Sequence, residues 1–318
     1  MGSKARKVVI VGVGYVGSTC AYSLINQAVC DEIMLVDRTP ERAYAQALDL
    51  SHCMEFVHAR TKITTGTLDQ CGDADIVVLS VGIRPKNIQS RLEVLESAYD
   101  IHKPLIGPIM ASGFDGIFLV ASNPVDIVTH MVWRLSGLPR SQVFGTGTSI
   151  DSSRLKTLLS YYLAVDPRSV SGYVLGEHGD SQFPVWSHVT VGGKPLLDII
   201  KQHPARFGHL KLDEIARQTM ESGLEIYKLK GSTYFGIGNA LAYIIRSILN
   251  DEHRIIAVSA VLDGEYGFSD LCLGVPAIIA RCGMKEIVEL NLTPAEQEQL
   301  ARSGAVIQQA INSLPLAP

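Results

Sequence analysis

Two hydrophobic rhythms alternate through the first half of the chain. Short continuous apolar runs, such as Val8-Val9-Ile10-Val11 and Ile76-Val77-Val78-Leu79, place β-branched residues at successive positions. A strand in a parallel sheet covered on both faces reads this way, because neither face meets water. Between these runs lie longer segments whose apolar residues recur every three or four positions, the period of a helix with one buried face. The pattern predicts strands over 8–11, 33–37, 63–65, 76–81, 117–121 and around 143, and helices over 15–27, 41–52, 90–110 and 126–135. That order is α/β, a doubly wound parallel sheet.

The second half changes rhythm. It predicts an Asp-capped helix from near Asp151 to 162, and short strands over 172–175 and 187–191 with Gly192-Gly193 as a hairpin turn. Helices are expected over 212–229 and 239–249, and strands over 255–262 and around 278. A closing helix over 294–313 is launched by Thr293, with Glu296 three residues later completing a capping box. This half reads as mixed α+β. The boundary falls near Gly147, giving domains over 1–147 and 148–318, with no linker, repeat or low-complexity tract between them.

Composition narrows the function. The chain has 318 residues and a formal net charge of −4, so nothing global attracts nucleic acid or a membrane surface. An anionic small molecule would need a local cluster of Arg or Lys. The cysteines at 20, 30, 53, 71, 272 and 282 form no C-x-x-C pair and lie mostly in apolar contexts. Free thiols in a reducing cytoplasm are expected, with neither disulfides nor a metal site. The basic start before Val8 is too short for a signal peptide, and no apolar stretch reaches the roughly 20 residues that span a bilayer.

Gly12-Val13-Gly14-Tyr15-Val16-Gly17 follows the first strand and opens the first helix. The first glycine permits the tight turn, the second lets a pyrophosphate approach the backbone, and the third lets helix and strand pack closely. Asp37 ends the second strand 20 residues past Gly17. An acid there accepts hydrogen bonds from ribose hydroxyls and repels a 2′-phosphate, which favours NAD over NADP. The first half is therefore expected to be a Rossmann domain.

The chemical candidates lie further on. Gly176-Glu177-His178-Gly179-Asp180 sets a histidine between glycines and acids. Asp151 and Arg154 are three apart on one helix and so share a face, where one can orient an imidazole and the other hold an anion. Arg91 opens the helix after the fourth long strand, near the sheet edge where such folds bind ligands.

These motifs, with Ser122-Asn123-Pro124-Val125-Asp126 and Ile150-Asp151-Ser152-Ser153-Arg154, resemble the L-lactate/malate dehydrogenase family over essentially the whole chain. The resemblance implies that His178 passes a proton to and from the substrate oxygen, Asp151 orients and charges it, and Arg154 forks onto the substrate carboxylate. It implies that Arg91 polarises the carbonyl, that Asn123 contacts cofactor and carbonyl across a cis Asn123-Pro124 bond, and that Thr146 and Thr233 line the pocket. Val16 and Arg84 complete the expected cofactor contacts. The partner is a small 2-oxo or 2-hydroxy acid, and a homo-oligomer, dimer or tetramer, is implied.

In that family the substrate discriminator lies six residues before the loop arginine, with Gln in lactate enzymes and Arg in malate enzymes. Here it is Pro85, which has no side-chain donor, flanked by Arg84 and Lys86. Glu177, Pro184-Val185-Trp186-Ser187 and Lys230-Gly231-Ser232-Thr233 resemble the lactate branch. Two positions that bind an activating sugar bisphosphate in some bacterial relatives are Lys156 and Ser171 here, which implies little activation.

Overall fold

The computed structural model describes residues 5–82 and 91–314, without the side chains of Arg91 and Leu92. Arg84, Pro85 and Lys86 therefore lie outside the described residues, as does the side chain of Arg91. The first half runs β1 (Lys7–Val11), α1 (Tyr15–Asn26), β2 (Glu32–Val36), α2 (Pro40–His52), β3 (Lys62–Thr65), β4 (Ile76–Leu79), α3 (Arg91–Ala111), β5 (Ile117–Val120), α4 (Val125–Ser136) and β6 (Val143–Gly145). The second half runs α5 (Ser149–Leu163), β7 (Val170–Ser171), β8 (Val174–Leu175), β9 (Phe183–Pro184), β10 (Thr190–Val191), β11 (Lys194–Pro195), α6 (Leu196–Gln202), α7 (Pro204–Phe207), α8 (Leu212–Lys230), α9 (Phe235–Leu249), β12 (Arg254–Asp263), β13 (Ser269–Ala280), β14 (Gly283–Ile287) and α10 (Pro294–Asn312).

Among the described residues the main sheet has the order β14-β13-β12-β6-β5-β4-β1-β2-β3. The six strands of the first half pair in parallel, in the order of a doubly wound dinucleotide-binding fold. Their apolar runs are buried on both faces. Val9, Val11, Val77, Leu79, Phe118 and Val120 pack on one side, and Val8, Ile10, Ile76, Val78 and Leu119 on the other. Each fully buried side chain of this kind stabilises the fold by about 1.5–3 kcal/mol. Val11 pairs with Val36 and Leu79, and Leu79 with Val120, so the carboxyl ends of β1, β2, β4 and β5 finish level. The turns that follow them form one edge of the sheet.

The second half does not stand apart from this sheet. Ser259 of β12 pairs antiparallel with Gly145 of β6, and β13 and β14 extend the sheet from there. No helix among the described residues is long and apolar enough to cross a membrane.

Several elements differ from the sequence pattern. The run expected as a strand over 76–81 leaves the sheet after Leu79, and Ser80, Val81 and Gly82 turn to line a cavity. The stretch expected as a strand over 187–191 begins as a short 3-10 turn at Trp186–His188, leaving only Thr190–Val191 paired. The Gly192-Gly193 hairpin forms between β10 and β11 as expected. Asp151 does not cap α5. The helix starts at Ser149 after Thr148, and the Asp151 carboxylate is turned inward. The capping box at Thr293 and Glu296 forms as expected.

Candidate active site

The carboxyl end of β1 shows why its glycines are needed. Gly12 has φ +90°, and its N–H donates to Val36 O at 2.8 Å. A Cβ on Gly17 would collide with the Gly12 carbonyl oxygen, whereas one on Gly14 would meet only open space. Asp37 closes the turn: its Oδ2 accepts the Val13 N–H at 3.0 Å and its Oδ1 the Thr39 N–H at 3.0 Å. The N-terminus of α1 has no side-chain cap and no acid in its first turn. Its free N–H groups and positive dipole end suit a pyrophosphate, so these residues fit a dinucleotide.

A cavity of about 810 Å³ opens beside this turn. It brings together Val16, Asn123, Thr146, Asp151, Arg154, His178 and Thr233. Gly12, Gly14 and Gly17, on the turn around Val16, and Asp37, directly after β2, are outside its lining. The Asn123-Pro124 peptide is cis, as expected. Thr146 follows β6 and is held by its N–H donating to Val120 O at 2.8 Å. The backbone of Arg91 starts α3, and Val94, one turn on, lines the cavity.

His178 sits on the loop after β8, and three elements pin that loop. Gly176 exchanges hydrogen bonds of 3.0 and 2.8 Å with Gly274 of β13. The Glu177 N–H donates to Ser303 Oγ of α10 at 2.6 Å, and the His178 N–H donates to Asp126 Oδ2 of α4 at 2.8 Å. The imidazole then meets α5: Nδ1 lies 2.6 Å from Asp151 Oδ2. Arg154 Nη1 donates to the other carboxylate oxygen at 2.8 Å. Asp151 is fully buried, whereas His178 keeps 22% of its side chain exposed toward the cavity.

The electrostatics follow from this arrangement. Burial pushes the Asp151 carboxyl up, but the His178 and Arg154 cations outweigh it and hold the group below the usual carboxylate range. Burial pushes the His178 imidazole down, but the charge and hydrogen bond of Asp151, with help from Asp126, hold it above its ordinary 6.5. An ionised carboxylate only accepts, so Nδ1 must be the donor in that contact. His178 Nε2 makes no hydrogen bond among the described residues. The arrangement can give or take a proton at Nε2 beside a guanidinium that can hold an anion.

The structure adds residues that the sequence pattern left unassigned. Met220, Ile226 and Tyr227 of α8 and Ile237 of α9 form an apolar wall. Gly223 faces the Arg154 guanidinium, where an added Cβ would come within 2.9 Å of Nη2. Gln182 lines the cavity with its Oε1 buried and without a hydrogen-bond partner among the described residues. Tyr234 stacks on Tyr15 at 5.2 Å across the two halves. Apolar positions on one face of the predicted 212–229 helix were the available signal for the wall. No local signal marked which partners they meet.

Comparison with known proteins agrees over the full length. Residues 6–145 match the family model for the lactate/malate dehydrogenase NAD binding domain, and residues 148–314 match that for the alpha/beta C-terminal domain. The chain is 57% identical over 309 residues to L-lactate dehydrogenase 3 of Bacillus cereus, covering 97% of this chain and 98% of that one. It is 43% identical to an L-lactate dehydrogenase of Bacillus licheniformis, covering 96% and 95%. The minor L-lactate dehydrogenase of Enterococcus mundtii superposes with a TM-score of 0.96 in its ligands-bound crystal form, at 42% identity, covering 99% of this chain and 100% of that one. Its ligands-unbound form superposes at 0.91, covering 100% of both chains.

Proposed function

The chain belongs to the lactate/malate dehydrogenase family, and on that premise we propose that it catalyses the reversible NADH-dependent reduction of pyruvate to L-lactate. NAD is its cofactor and, when bound, supplies or accepts the hydride. Residues 1–147 would hold the cofactor: Gly12, Gly14, Val16 and Gly17 the pyrophosphate turn, Asp37 the ribose, and Asn123 and Thr146 the nicotinamide side of the cavity. Arg84, outside the described residues, is proposed as a further contact. Residues 148–318 would carry most of the substrate chemistry.

Arg154 binds the substrate carboxylate as a fork that lysine would not reproduce. This places the keto oxygen toward His178 Nε2, with Asn123 and Thr233 beside it in the same cavity. During reduction the keto oxygen takes the Nε2 proton, and during oxidation the hydroxyl returns it. Asp151 keeps the ring oriented and lowers the free energy of its charged form. Arg91 is proposed to stabilise the developing charge on the oxygen. Pro85 stands where a polar side chain would judge the substrate's far end, and the loss of that polar contact relaxes the demand on the R-group. A related L-2-hydroxy acid, 2-hydroxyisocaproate or malate, would be the alternative outcome.

The observation that carries this reading is the Asp151 carboxylate shared between His178 at 2.6 Å and Arg154 at 2.8 Å, with both cations lining one cavity. Its test is pyruvate-dependent loss of NADH absorbance. A homo-oligomer is supported by exposed apolar side chains, among them Tyr44 and Leu48 on α2, Phe56 at 86% and Leu229 at 81% exposed. The cytoplasm is supported by six cysteines, none of them paired.

A further inference from the structure

The proton relay gives Asp151 a task and leaves a second buried acid, Asp126, without one. Asp126 lies in the first turn of α4 and is 2% exposed. Its Oδ2 accepts the backbone N–H of His178 at 2.8 Å, and its Oδ1 accepts the Ser259 hydroxyl of β12 at 2.6 Å. One carboxylate therefore ties together α4, the His178 loop and the strand that joins the two halves of the sheet. α4 itself begins directly after Asn123-Pro124, so Asp126 also ties the segment that carries Asn123 to the His178 loop, and both residues line the cavity. A carboxylate kept this deep carries a desolvation cost that a surface residue would not meet.

We propose that Asp126 is a positioning residue for the proton-transfer step: it anchors the backbone of His178 and places a second negative charge behind the ring. This rests on the reading of His178 as the proton carrier. Asp151 and Arg154 face His178 from α5, and Asp126 faces it from α4. Asp126 in turn faces Glu177 and His178 from the loop and Cys272 from β13. Burial pushes the Asp126 carboxyl up to about 6, against the hydrogen bonds from Ser259 and the His178 N–H. Both Asp126 oxygens accept hydrogen bonds, which favours the ionised carboxylate against its burial, and its charge helps hold His178 above 6.5.

The test is the pH profile of kcat/KM for the wild type and Asp126→Asn, in both directions. The amide still accepts the His178 N–H and donates to Ser259, so the anchor survives while the charge is lost. Removing the charge lowers the His178 pKa. Reduction needs protonated His178, so its high-pH limb should move to lower pH by about half to one unit, as expected for one nearby charge in partly solvated surroundings. Oxidation needs neutral His178, so its low-pH limb should move down by the same amount.

A general loss of activity with both limbs in place would overturn the proposal, since that is what a purely structural role predicts. Should Asp126→Asn not fold, Ser259→Ala carries the test. Removing that donor raises the pH at which Asp126 protonates, so the limbs should move the same way by less, and unmoved limbs overturn the proposal. A wild type with no such limbs would refute the His178 reading itself, an outcome distinct from limbs that are present but do not move.

Discussion

Asp151→Asn removes one charge and leaves the size of the side chain almost unchanged. Asp151 is fully buried and holds two cations, His178 at 2.6 Å and Arg154 at 2.8 Å. A hydrogen bond to a charged group contributes about 1.5–3 kcal/mol net. One pH unit corresponds to about 1.4 kcal/mol, so the His178 pKa should fall by about one to two units. Reduction depends on protonated His178, which predominates below its folded pKa and is lost as pH rises through it. That pKa lies above 6.5 in the native protein. In the variant the limb moves to the acid side, so on that limb a smaller fraction of His178 carries a proton at any given pH. The amide can also donate to Nδ1, which selects the wrong ring tautomer. Together these effects should lower kcat for pyruvate reduction by about two to four orders of magnitude. The assay is steady-state NADH absorbance, with circular dichroism to check folding and NADH fluorescence to check cofactor binding. A folded variant that binds NADH and keeps kcat within about threefold of the native value would refute the relay.

Arg154→Lys should weaken pyruvate binding, because an ammonium cannot form the two parallel hydrogen bonds of a guanidinium; a rise in KM of about 10–100-fold is expected in initial-rate measurements. Asp37→Ser should loosen the turn held through the Val13 and Thr39 N–H groups and remove the charge that repels a 2′-phosphate. The KM for NADH should rise by about tenfold and the preference over NADPH should shrink, read from parallel assays with both cofactors. Fructose 1,6-bisphosphate should leave the KM for pyruvate unchanged. Lys156 is drawn 5.7 Å over the Tyr173 ring and burial pushes its pKa down, while Ser171 adds no charge.

Much of the site was legible because its chemistry depends on residue types that have few substitutes. Only glycine tolerates the Gly12 turn and the Gly17 contact, and only an acid at Asp37 can take up two N–H groups while repelling a phosphate. Asp151 and Arg154 were placed on one face by helical spacing, and the structure joins them at 2.8 Å. The sequence pattern puts the helix start near Asp151, because an acid near a helix N-terminus normally serves as a cap, whereas α5 starts at Ser149. Here that role is displaced by a partner 27 residues away, with Asp151 held against His178. The contacts of Asp126 are hidden in the sequence for a similar reason. It looks like an ordinary first-turn acid, and its partner Ser259 lies 133 residues further along.

The small elements of the second half were the least legible. β14 offers only a short apolar pattern on the sheet edge, and its place depends on β13 being there to pair with. α9 starts four residues earlier than its apolar period suggests, because Gly236 and Gly238 weaken the helical signal. Gly238 is required by its close approach to Thr19 of α1. Continuity of the sheet across β6 and β12 rests on pairing between residues more than a hundred positions apart, which no local pattern encodes.

His178, Asp151 and Arg154 are expected to serve the NADH-dependent reduction of a small 2-oxo acid, and that acid is expected to be pyruvate. The most direct test is kcat/KM from NADH absorbance with pyruvate, oxaloacetate, 2-oxoisocaproate and phenylpyruvate under one set of conditions. Pyruvate is expected to give the highest value, with measurable turnover of the bulkier acids because Pro85 offers no polar contact. A value for oxaloacetate far above that for pyruvate would contradict the substrate, and no NADH loss with any of the four would contradict the reaction.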